Sequence, residues 1–338
     1  MAEMPPLTII CAVVQRKRMI TLSDLRSAQA RLQGITKRTS LIEFQLCAED
    51  PRRLLLKPEN QQPIGAFKLR GAYNKIASLS DEERRRGVIS YSSGNHAQGV
   101  AYAARALNVK SVIVMPNNAP EIKREATAKL GAEIVLVGPG SDERKSKAEE
   151  LAAQHRYIIV PPYNDEKIIA GQGTIGLEIL EELPEVETIV SPVGGGGLIS
   201  GVAAAIKLTN PKVKVIGVEP ELAADAQASL RQGKIVQYPA ELVSRTLADG
   251  LRTQSIGPIN FEHIRAYVDD IITVTEEEIR QAMRYLCANP QTIAEPSGAV
   301  ATAGFIFHAK ELPQTRLNVA IISGGNIEPE MLAQLRSS

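Results

Sequence analysis

The sequence predicts an α/β protein with two doubly wound domains of mainly parallel sheet. Short apolar runs rich in Val and Ile alternate along the chain with longer segments of helical periodicity. Apolar residues at consecutive positions indicate strands that are buried on both faces, and their alternation with helices is typical of doubly wound folds. The predicted strands are 54–56, 88–91, 111–115, 133–137, 157–160, 188–193, 213–218 and 318–322.

The ends of several helices between these strands are marked in the sequence. Ser80 and Glu83 have the spacing of a capping box, in which each side chain bonds the other residue's backbone amide, and Thr275 and Glu278 repeat it. Gly131 is predicted to end the helix that follows the third strand.

Composition excludes several classes of protein. The 338 residues include 39 Lys and Arg against 38 Asp and Glu, which gives a formal net charge of +1. A charge this small does not attract nucleic acid or an anionic membrane. Cys11, Cys47 and Cys287 are too far apart in sequence for a disulfide framework, and the four histidines lack metal-ligand spacing.

The only candidate targeting segment is the apolar run at 7–14. It is too short to span a membrane, and its basic cluster follows rather than precedes it. We therefore expect a cytoplasmic protein without a membrane partner, in which residues 1–18 form an extension.

Residues 171–176 match the dinucleotide fingerprint GxGxxG, but their context argues against that function. The fingerprint requires a buried strand before it, whereas residues 165–170 form a polar helical start. We interpret these glycines as positions where a helix packs closely on the sheet.

A second glycine-rich segment, residues 194–197, has the context of an anion site. The strand at 188–193 runs directly into four glycines and then into a helix. Backbone N–H groups at such a helix N-terminus can approach a phosphate closely. The lysine and hydroxyl residue of a nucleoside-triphosphate loop are missing, so another phosphorylated ligand is indicated.

Three further segments carry candidate chemistry. Residues 92–99 place hydroxyl and amide groups at a helix start, which suits a carboxylate but is equally typical of an ordinary cap. Lys68 lies among small and apolar residues, where desolvation favours the neutral amine needed for a Schiff base. Ser323 follows the last predicted strand, which alone indicates only a turn.

Together these features are the groups that pyridoxal phosphate requires to act on an amino acid. From about Thr21 to Asn326 the chain resembles the fold-type II pyridoxal-phosphate enzymes, which are tryptophan-synthase-β-like. Within that class it resembles the threonine/serine dehydratase and serine racemase family. The resemblance implies a large cofactor-binding domain over 19–80 and 166–338 and a small mobile domain over 81–165, with the active site between them. The turn at 161–165 is the predicted crossing.

The resemblance also implies roles for individual residues. Lys68 is the Schiff-base lysine and moves the proton at the substrate α-carbon, while Phe67 lies against the pyridine ring. Asn95 meets the ring hydroxyl, and Ser323 bonds the pyridine nitrogen. The phosphate is held by Gly194, Gly195, Gly196, Gly197 and Leu198. The substrate carboxylate is held by Ser92, Ser93, Asn95 and His96.

Two more sites follow from the same resemblance. Glu219, the Ala223 carbonyl and Asp225 are similar to a cation site of the racemases, and such oxygen ligands suit Mg²⁺ or Ca²⁺. The alternative is two solvated acids at a strand end. Glu295 is placed near the cofactor, although an acid before a helix also interacts favourably with the helix dipole.

The implied function is an ammonia-lyase that converts L-threonine or L-serine to a 2-oxo acid and ammonia. Serine racemase is the main alternative, because Ser93 offers a second proton donor opposite Lys68. A 3-hydroxyaspartate dehydratase and a non-catalytic amino-acid-binding regulator are further alternatives. A homodimer is expected from the family.

Overall fold

The structure is a computed structural model that describes residues 18–47, 49–92, 94–119, 121–138 and 140–337. Its strands are β1 (Ile42–Phe44), β2 (Arg53–Pro58), β3 (Val88–Tyr91), β4 (Ser111–Pro116), β5 (Glu133–Val137), β6 (Ile158–Ile159), β7 (Thr188–Pro192), β8 (Lys214–Pro220), β9 (Asp270–Val274) and β10 (Leu317–Ile322).

The helices alternate with these strands. They are α1 (Leu22–Leu32), α2 (Lys68–Ala77), α3 (Asp81–Arg86), α4 (Asn95–Ala106), α5 (Glu121–Lys129), α6 (Ser141–His155), α7 (Glu166–Glu182), α8 (Gly197–Thr209), α9 (Asp225–Gln232), α10 (Ala240–Val243), α11 (Pro258–Tyr267), α12 (Glu276–Cys287), α13 (Pro296–Phe307) and α14 (Pro329–Ser337).

The strands form two sheets, which confirms the predicted fold class. The larger sheet has the order β1-β2-β10-β7-β8-β9 and is parallel except for the antiparallel edge pair β1–β2. The smaller sheet has the order β5-β4-β3-β6 and is parallel throughout. Every predicted strand is present, with small shifts of its ends, whereas β1 and β9 were not predicted.

The larger sheet is covered by helices on both faces. Val190 and Ile216 pack with residues of α12 and α13, whereas their neighbours Ile189 and Val215 pack with residues of α7 and α8. This alternation along each strand explains why the strand sequences are apolar at consecutive positions.

The strand order brings particular strand ends together. In the larger sheet β10 lies between β2 and β7, so the turns that follow β10 and β7 lie side by side at the carboxyl edge. In the smaller sheet β3 lies next to β6. The carboxyl ends of these strands border a crevice between the two sheets. Doubly wound folds bind ligands in such a crevice, beyond the carboxyl ends of their strands.

Helix ends agree with the capping chemistry. Ser80 with Glu83 and Thr275 with Glu278 both form complete capping boxes, as predicted. Gly131 follows α5 with φ of +91°, a conformation that favours glycine.

As predicted, the GxGxxG segment lacks the context of a dinucleotide site, but its glycines pack against neighbouring helices rather than on the sheet. Residues 171–176 lie inside α7 rather than in a strand-to-helix turn. A Cβ atom at Gly171 would come 2.6 Å from the Arg70 carbonyl oxygen of α2, and one at Gly173 would come 2.7 Å from the Gly201 carbonyl oxygen of α8. The glycines therefore permit close packing of helices.

The strands of the smaller sheet all fall within residues 81–165, and those of the larger sheet fall outside that range. The chain passes from β6 to α7 through residues 161–165, the predicted crossing. The exact domain boundaries and the mobility of the smaller domain stay predictions. Across the described ranges, none of the helices is both long and apolar enough to cross a bilayer. The apolar run at 7–14 lies outside the described residues.

Candidate active site

Lys68 is the first residue of α2 and lies in the crevice between the two sheets. The preceding loop is held against the end of β10, because the Phe67 N–H donates to the Ser323 carbonyl at 3.1 Å. Lys68 Nζ donates to the Pro162 carbonyl at 2.9 Å and lies 5.2 Å from the centroid of the Phe67 ring.

The surroundings of Lys68 favour its neutral form. Burial lowers the Lys68 pKa to about 8, and the charge of Glu295 opposes that shift in part. About a tenth of the amine is therefore unprotonated at pH 7, far more than of a solvated lysine, and the neutral amine is the form that a nucleophilic lysine requires.

The glycine-rich loop leads from β7 into α8. Gly196 is the N-cap residue of α8, with φ of +88°, and no side chain caps this helix end. Gly197 and Leu198 are its first residues, so the N–H groups of the first turn lack partners within the helix. Together with the helix dipole, they form a site that fits a phosphate group.

Asn95 connects the two sides of the crevice. It begins α4, just beyond β3 of the smaller sheet. Its Nδ2 donates to Glu295 Oε1 at 2.6 Å, and its Oδ1 accepts from Asn326 Nδ2 at 2.7 Å. Because an amide nitrogen has two protons, Asn95 keeps one donor for a ligand.

Glu295 is the N-cap residue of α13, but its side chain makes no capping bond. Its carboxylate turns to Asn95 instead. Burial, and then the charge of Asp249, raise the Glu295 pKa to about 7. Glu295 thus shares a hydrogen bond with a proposed cofactor-binding residue, and its position at the start of α13 is also compatible with an interaction with the helix dipole.

The remaining predicted residues lie nearby. Ser323 is buried, and its hydroxyl donates to the Ser297 carbonyl at 3.3 Å. His96 Nε2 bonds the Val160 carbonyl at 3.0 Å, whereas its buried Nδ1 has no partner. Burial and the charge of Lys68 lower the His96 pKa to about 3, so the ring is neutral. The Ser92 hydroxyl accepts from the Gly94 N–H at 3.4 Å, and Ser93 lies outside the described residues.

The proposed cation site lies at the end of β8. The two Glu219 oxygens accept from the N–H groups of Ala226 and Gln227 at 3.0 and 2.8 Å. Both carboxylate oxygens of Asp225 are buried and have no partner with hydrogen-bond geometry, although the Asp225 and Ile256 N–H groups lie close enough to lower its pKa. Ala223 ends the short 3-10 turn that precedes α9. Glu219 and Asp225 are therefore brought together.

Burial controls the acidity of these two carboxyls. It raises the Asp225 pKa to about 7, and it raises the Glu219 pKa well above its usual value, with the Asp225 charge adding to the shift. Unpartnered buried carboxylate oxygens fit a hard cation. Within the described residues no three His, Cys, Asp or Glu side chains cluster as metal ligands, so carbonyl and water oxygens would have to complete the shell.

Sequence reasoning missed some contributors to the site. The Pro162 carbonyl bonds Lys68, and Asn326 orients Asn95 while also donating to the Ile64 carbonyl at 2.9 Å. Both positions stand in segments that the sequence did single out, the crossing turn and the turn after β10. Their bonding partners are distant in the chain, so no local pattern could reveal these contacts.

Comparisons with known proteins agree with this geometry. Residues 32–324 match the family model described as pyridoxal-phosphate dependent enzyme. The L-threonine ammonia-lyase of Thermotoga maritima is 46% identical over 319 residues, covering 94% of this chain and 78% of the relative. The L-threo-3-hydroxyaspartate ammonia-lyase of Saccharomyces cerevisiae is 39% identical over 318 residues, covering 94% of this chain and 96% of the relative. Maize serine racemase superimposes with a TM-score of 0.88 at 35% identity, covering 94% of this chain and 97% of that structure.

Proposed function

Because the chain belongs to the family of pyridoxal-phosphate-dependent enzymes, we propose that it is an ammonia-lyase acting on L-threonine and L-serine. The products are 2-oxobutanoate or pyruvate, together with ammonia. The observation that carries the proposal is the buried Lys68 amine with its lowered pKa, on a loop whose Phe67 N–H bonds the Ser323 carbonyl, together with the uncapped start of α8. The relation to the Thermotoga maritima L-threonine ammonia-lyase supports the choice of substrate.

The residues divide the work of holding the cofactor. The N–H groups of the 194–198 segment would bind the phosphate, and Lys68 would hold the cofactor covalently. Phe67 would pack on the ring, Asn95 would bond the ring hydroxyl, and Ser323 would bond the ring nitrogen. When bound, pyridoxal phosphate supplies an electron sink for the substrate α-carbon.

The protein groups then determine what happens to the substrate. Ser92, Ser93, Asn95 and His96 form the carboxylate site, in which the neutral His96 ring contributes orientation rather than charge. Lys68 removes the α-proton. The Ser323 hydroxyl would not keep the ring nitrogen protonated as an aspartate would. The cofactor would then supply a weaker electron sink, which would favour loss of the β-hydroxyl over a long-lived carbanion.

Replacing Lys68 with alanine tests the proposal. One amine serves both attachment and proton transfer, so activity should fall by several orders of magnitude. Release of 2-oxobutanoate from L-threonine and the yellow colour of the protein are the measurements. Lys129→Ala, which alters an exposed lysine of α5, is the matched control. Turnover by the Lys68 variant at a tenth of wild type would remove the assignment.

Serine racemase is the second candidate. Maize serine racemase has the same fold throughout its length, and the Glu219 and Asp225 pair supports the same candidate. The relation to the Saccharomyces cerevisiae enzyme makes L-threo-3-hydroxyaspartate a third substrate to assay. Racemisation requires an acid on the face opposite Lys68, which is the part proposed for Ser93.

We further propose that Mg²⁺ or Ca²⁺ binds Glu219, the Ala223 carbonyl and Asp225. The unpartnered Asp225 oxygens support this site. A homodimer in the cytoplasm is also proposed, on the family resemblance alone, and light scattering of the purified protein measures the oligomeric state.

A further inference from the structure

Tyr163 lies in the crossing turn and packs directly on the glycine-rich loop. A Cβ atom at Gly195 would come within 2.3 Å of the Tyr163 ring, and one at Gly197 would come 2.9 Å from Tyr163 Cβ. Real Cβ atoms do not approach other atoms this closely, so the Tyr163 ring excludes a side chain at Gly195, and the Cβ and backbone of Tyr163 exclude one at Gly197. These two glycines are thus required by a protein contact as well as by any anion.

The position of Tyr163 is fixed from several directions. The Asn260 amide of α11 donates to the Tyr163 carbonyl at 3.3 Å, and the Asp165 N–H donates to the same oxygen at 2.9 Å. Asn260 also contacts the loop itself, because a Cβ atom at Gly196 would come 2.9 Å from Asn260 Cβ. Tyr163 and Asn260 therefore form one hydrogen-bonded wall behind residues 195–197.

The same turn reaches the reactive amine. Pro162, the residue before Tyr163, supplies the carbonyl that accepts from Lys68 Nζ at 2.9 Å. The next residue, Asn164, accepts from the Ile259 N–H at 2.9 Å near the start of α11. Consecutive residues of the turn thus contact the lysine, the glycine-rich loop and α11.

We propose that Tyr163 is a positioning residue for the phosphate-binding loop. Its ring supports the backbone of Gly195, next to the Tyr163 Cβ and backbone that pack on Gly197, so that the N–H groups at the start of α8 keep one arrangement. A loop of four glycines has many alternative conformations, and a rigid aromatic ring against its backbone restricts them. The proposal rests on the proposed function, since it takes the phosphate to be that of pyridoxal phosphate.

The test compares two aldehydes that differ only in the phosphate. Binding of pyridoxal phosphate and of pyridoxal to cofactor-free protein is measured by absorbance titration. Tyr163→Ala should bind pyridoxal phosphate at least about tenfold more weakly, the scale of one or two charge-assisted hydrogen bonds, and pyridoxal within about twofold of wild type. Tyr163→Phe keeps the ring and should behave as wild type.

A double-mutant cycle provides a second measurement. Gly195→Ala should also weaken binding of pyridoxal phosphate, because the new methyl group meets the ring. In Gly195→Ala/Tyr163→Ala that methyl group has room. The double variant should therefore bind pyridoxal phosphate no more weakly than whichever single variant has the lower affinity. Additive losses would mean that the ring and the glycine act independently, and would overturn the proposal.

The outcomes separate this proposal from the one it rests on. A wild-type protein that binds neither aldehyde contradicts the proposed function itself. A wild type that binds both, with a folded Tyr163→Ala whose preference for the phosphorylated form is unchanged, overturns the role of Tyr163 alone. Should Tyr163→Ala not fold, Tyr163→Leu takes its place, because leucine keeps apolar bulk without a flat ring. The ratio of its affinities for pyridoxal phosphate and pyridoxal then decides in the same way.

Discussion

The Asn95 amide donates a hydrogen bond of 2.6 Å to the Glu295 carboxylate and so joins the smaller sheet to the larger one. Asn95 begins the helix after β3, whereas Glu295 precedes α13, which packs on β7 and β10. A contact across the crevice therefore depends on a buried acid whose pKa is raised to about 7. Protonation of Glu295 is thereby linked to the stability of this contact between the two sheets.

The first prediction concerns Glu295→Gln and pH. A carboxyl with a raised pKa is protonated in the folded state and ionised in the unfolded chain between its two pKa values. Stability is therefore lost as pH rises from about 4.5 to about 7. The full rise of the Glu295 pKa, from 4.5 to about 7, corresponds to about 3 kcal/mol of folding free energy. Glu295→Gln should lose this contribution, so its free energy of unfolding should fall less over that range. Urea unfolding at several pH values measures the difference, and parallel curves for both proteins would contradict it.

The second prediction concerns the pH dependence of cofactor attachment to Lys68. Only the neutral amine reacts, and burial lowers the Lys68 pKa to about 8. The attachment rate should rise nearly tenfold per pH unit below about 8 and level off above it. In Glu295→Gln the midpoint should move to lower pH, because the Glu295 charge raises the Lys68 pKa. Stopped-flow absorbance measures the rates. A rise that continues to pH 10 would be the behaviour of a solvated lysine.

The third prediction concerns the cation site. A cation that binds only the folded state adds RT ln(1 + [L]/Kd), about 2.7 kcal/mol at a hundredfold excess over Kd. Mg²⁺ or Ca²⁺ should therefore raise the melting temperature of wild type and leave Asp225→Ala unmoved. Protons compete for the Asp225 carboxyl, whose pKa is about 7, so the effect should be larger at pH 8 than at pH 6. Equal shifts of the melting temperature in wild type and Asp225→Ala would contradict the proposed site.

Sequence alone predicted the elements whose signals are local. Continuous apolar runs identified β3, β4 and β7, and paired Ser or Thr with Glu identified the two capping boxes. The strand β1 was missed because it is a short edge strand with Glu43 at its centre. A half-exposed strand of three residues carries too little pattern to separate it from a loop.

The candidate site likewise combines features that are marked locally in the sequence with contacts between distant residues. The glycines after β7 and the lysine among apolar neighbours are local features, so their positions were predicted. The bonds from Asn95 to Glu295 and from Lys68 to Pro162 join residues that are 200 and 94 positions apart. Such contacts depend on which strand ends become neighbours, and the order of strands in a sheet is not written in any one segment.

The fourth prediction concerns an ion pair across the crevice. Lys123 of α5 lies 3.0 Å from Asp249, which begins a 3-10 turn beside the larger sheet. The pair is partly exposed, so Lys123→Ala should change stability by less than about 1 kcal/mol. On the prediction that the smaller domain is mobile, loss of the pair favours an open crevice, so the variant should nevertheless raise KM for L-threonine a few-fold. Salt should raise the wild-type KM toward that of the variant.

Lys129→Ala is the control for this ion pair, because the partner of Lys129, Glu125, lies 3.1 Å away on the same helix. Its KM should match that of wild type at every salt concentration. A Lys123 variant with wild-type KM and unchanged salt dependence would mean that the pair does not contribute to closure.

The last prediction separates the lyase from the racemase. A racemase must return a proton to the α-carbon from the face opposite the one where Lys68 removes it, and Ser93 is the residue proposed for that step. An alanine at position 93 cannot deliver a proton, whereas the Lys68 face is unaffected. Incubation with L-serine in deuterated water should therefore yield α-deuterated D-serine with wild type and none with Ser93→Ala, while Lys68→Ala abolishes pyruvate and D-serine together. If Ser93→Ala produced D-serine at the wild-type rate, another group would have to serve as the second acid. If wild type made pyruvate and no D-serine at all, the hydroxyl of Ser93 would serve only the carboxylate site, and the chain would be a lyase alone.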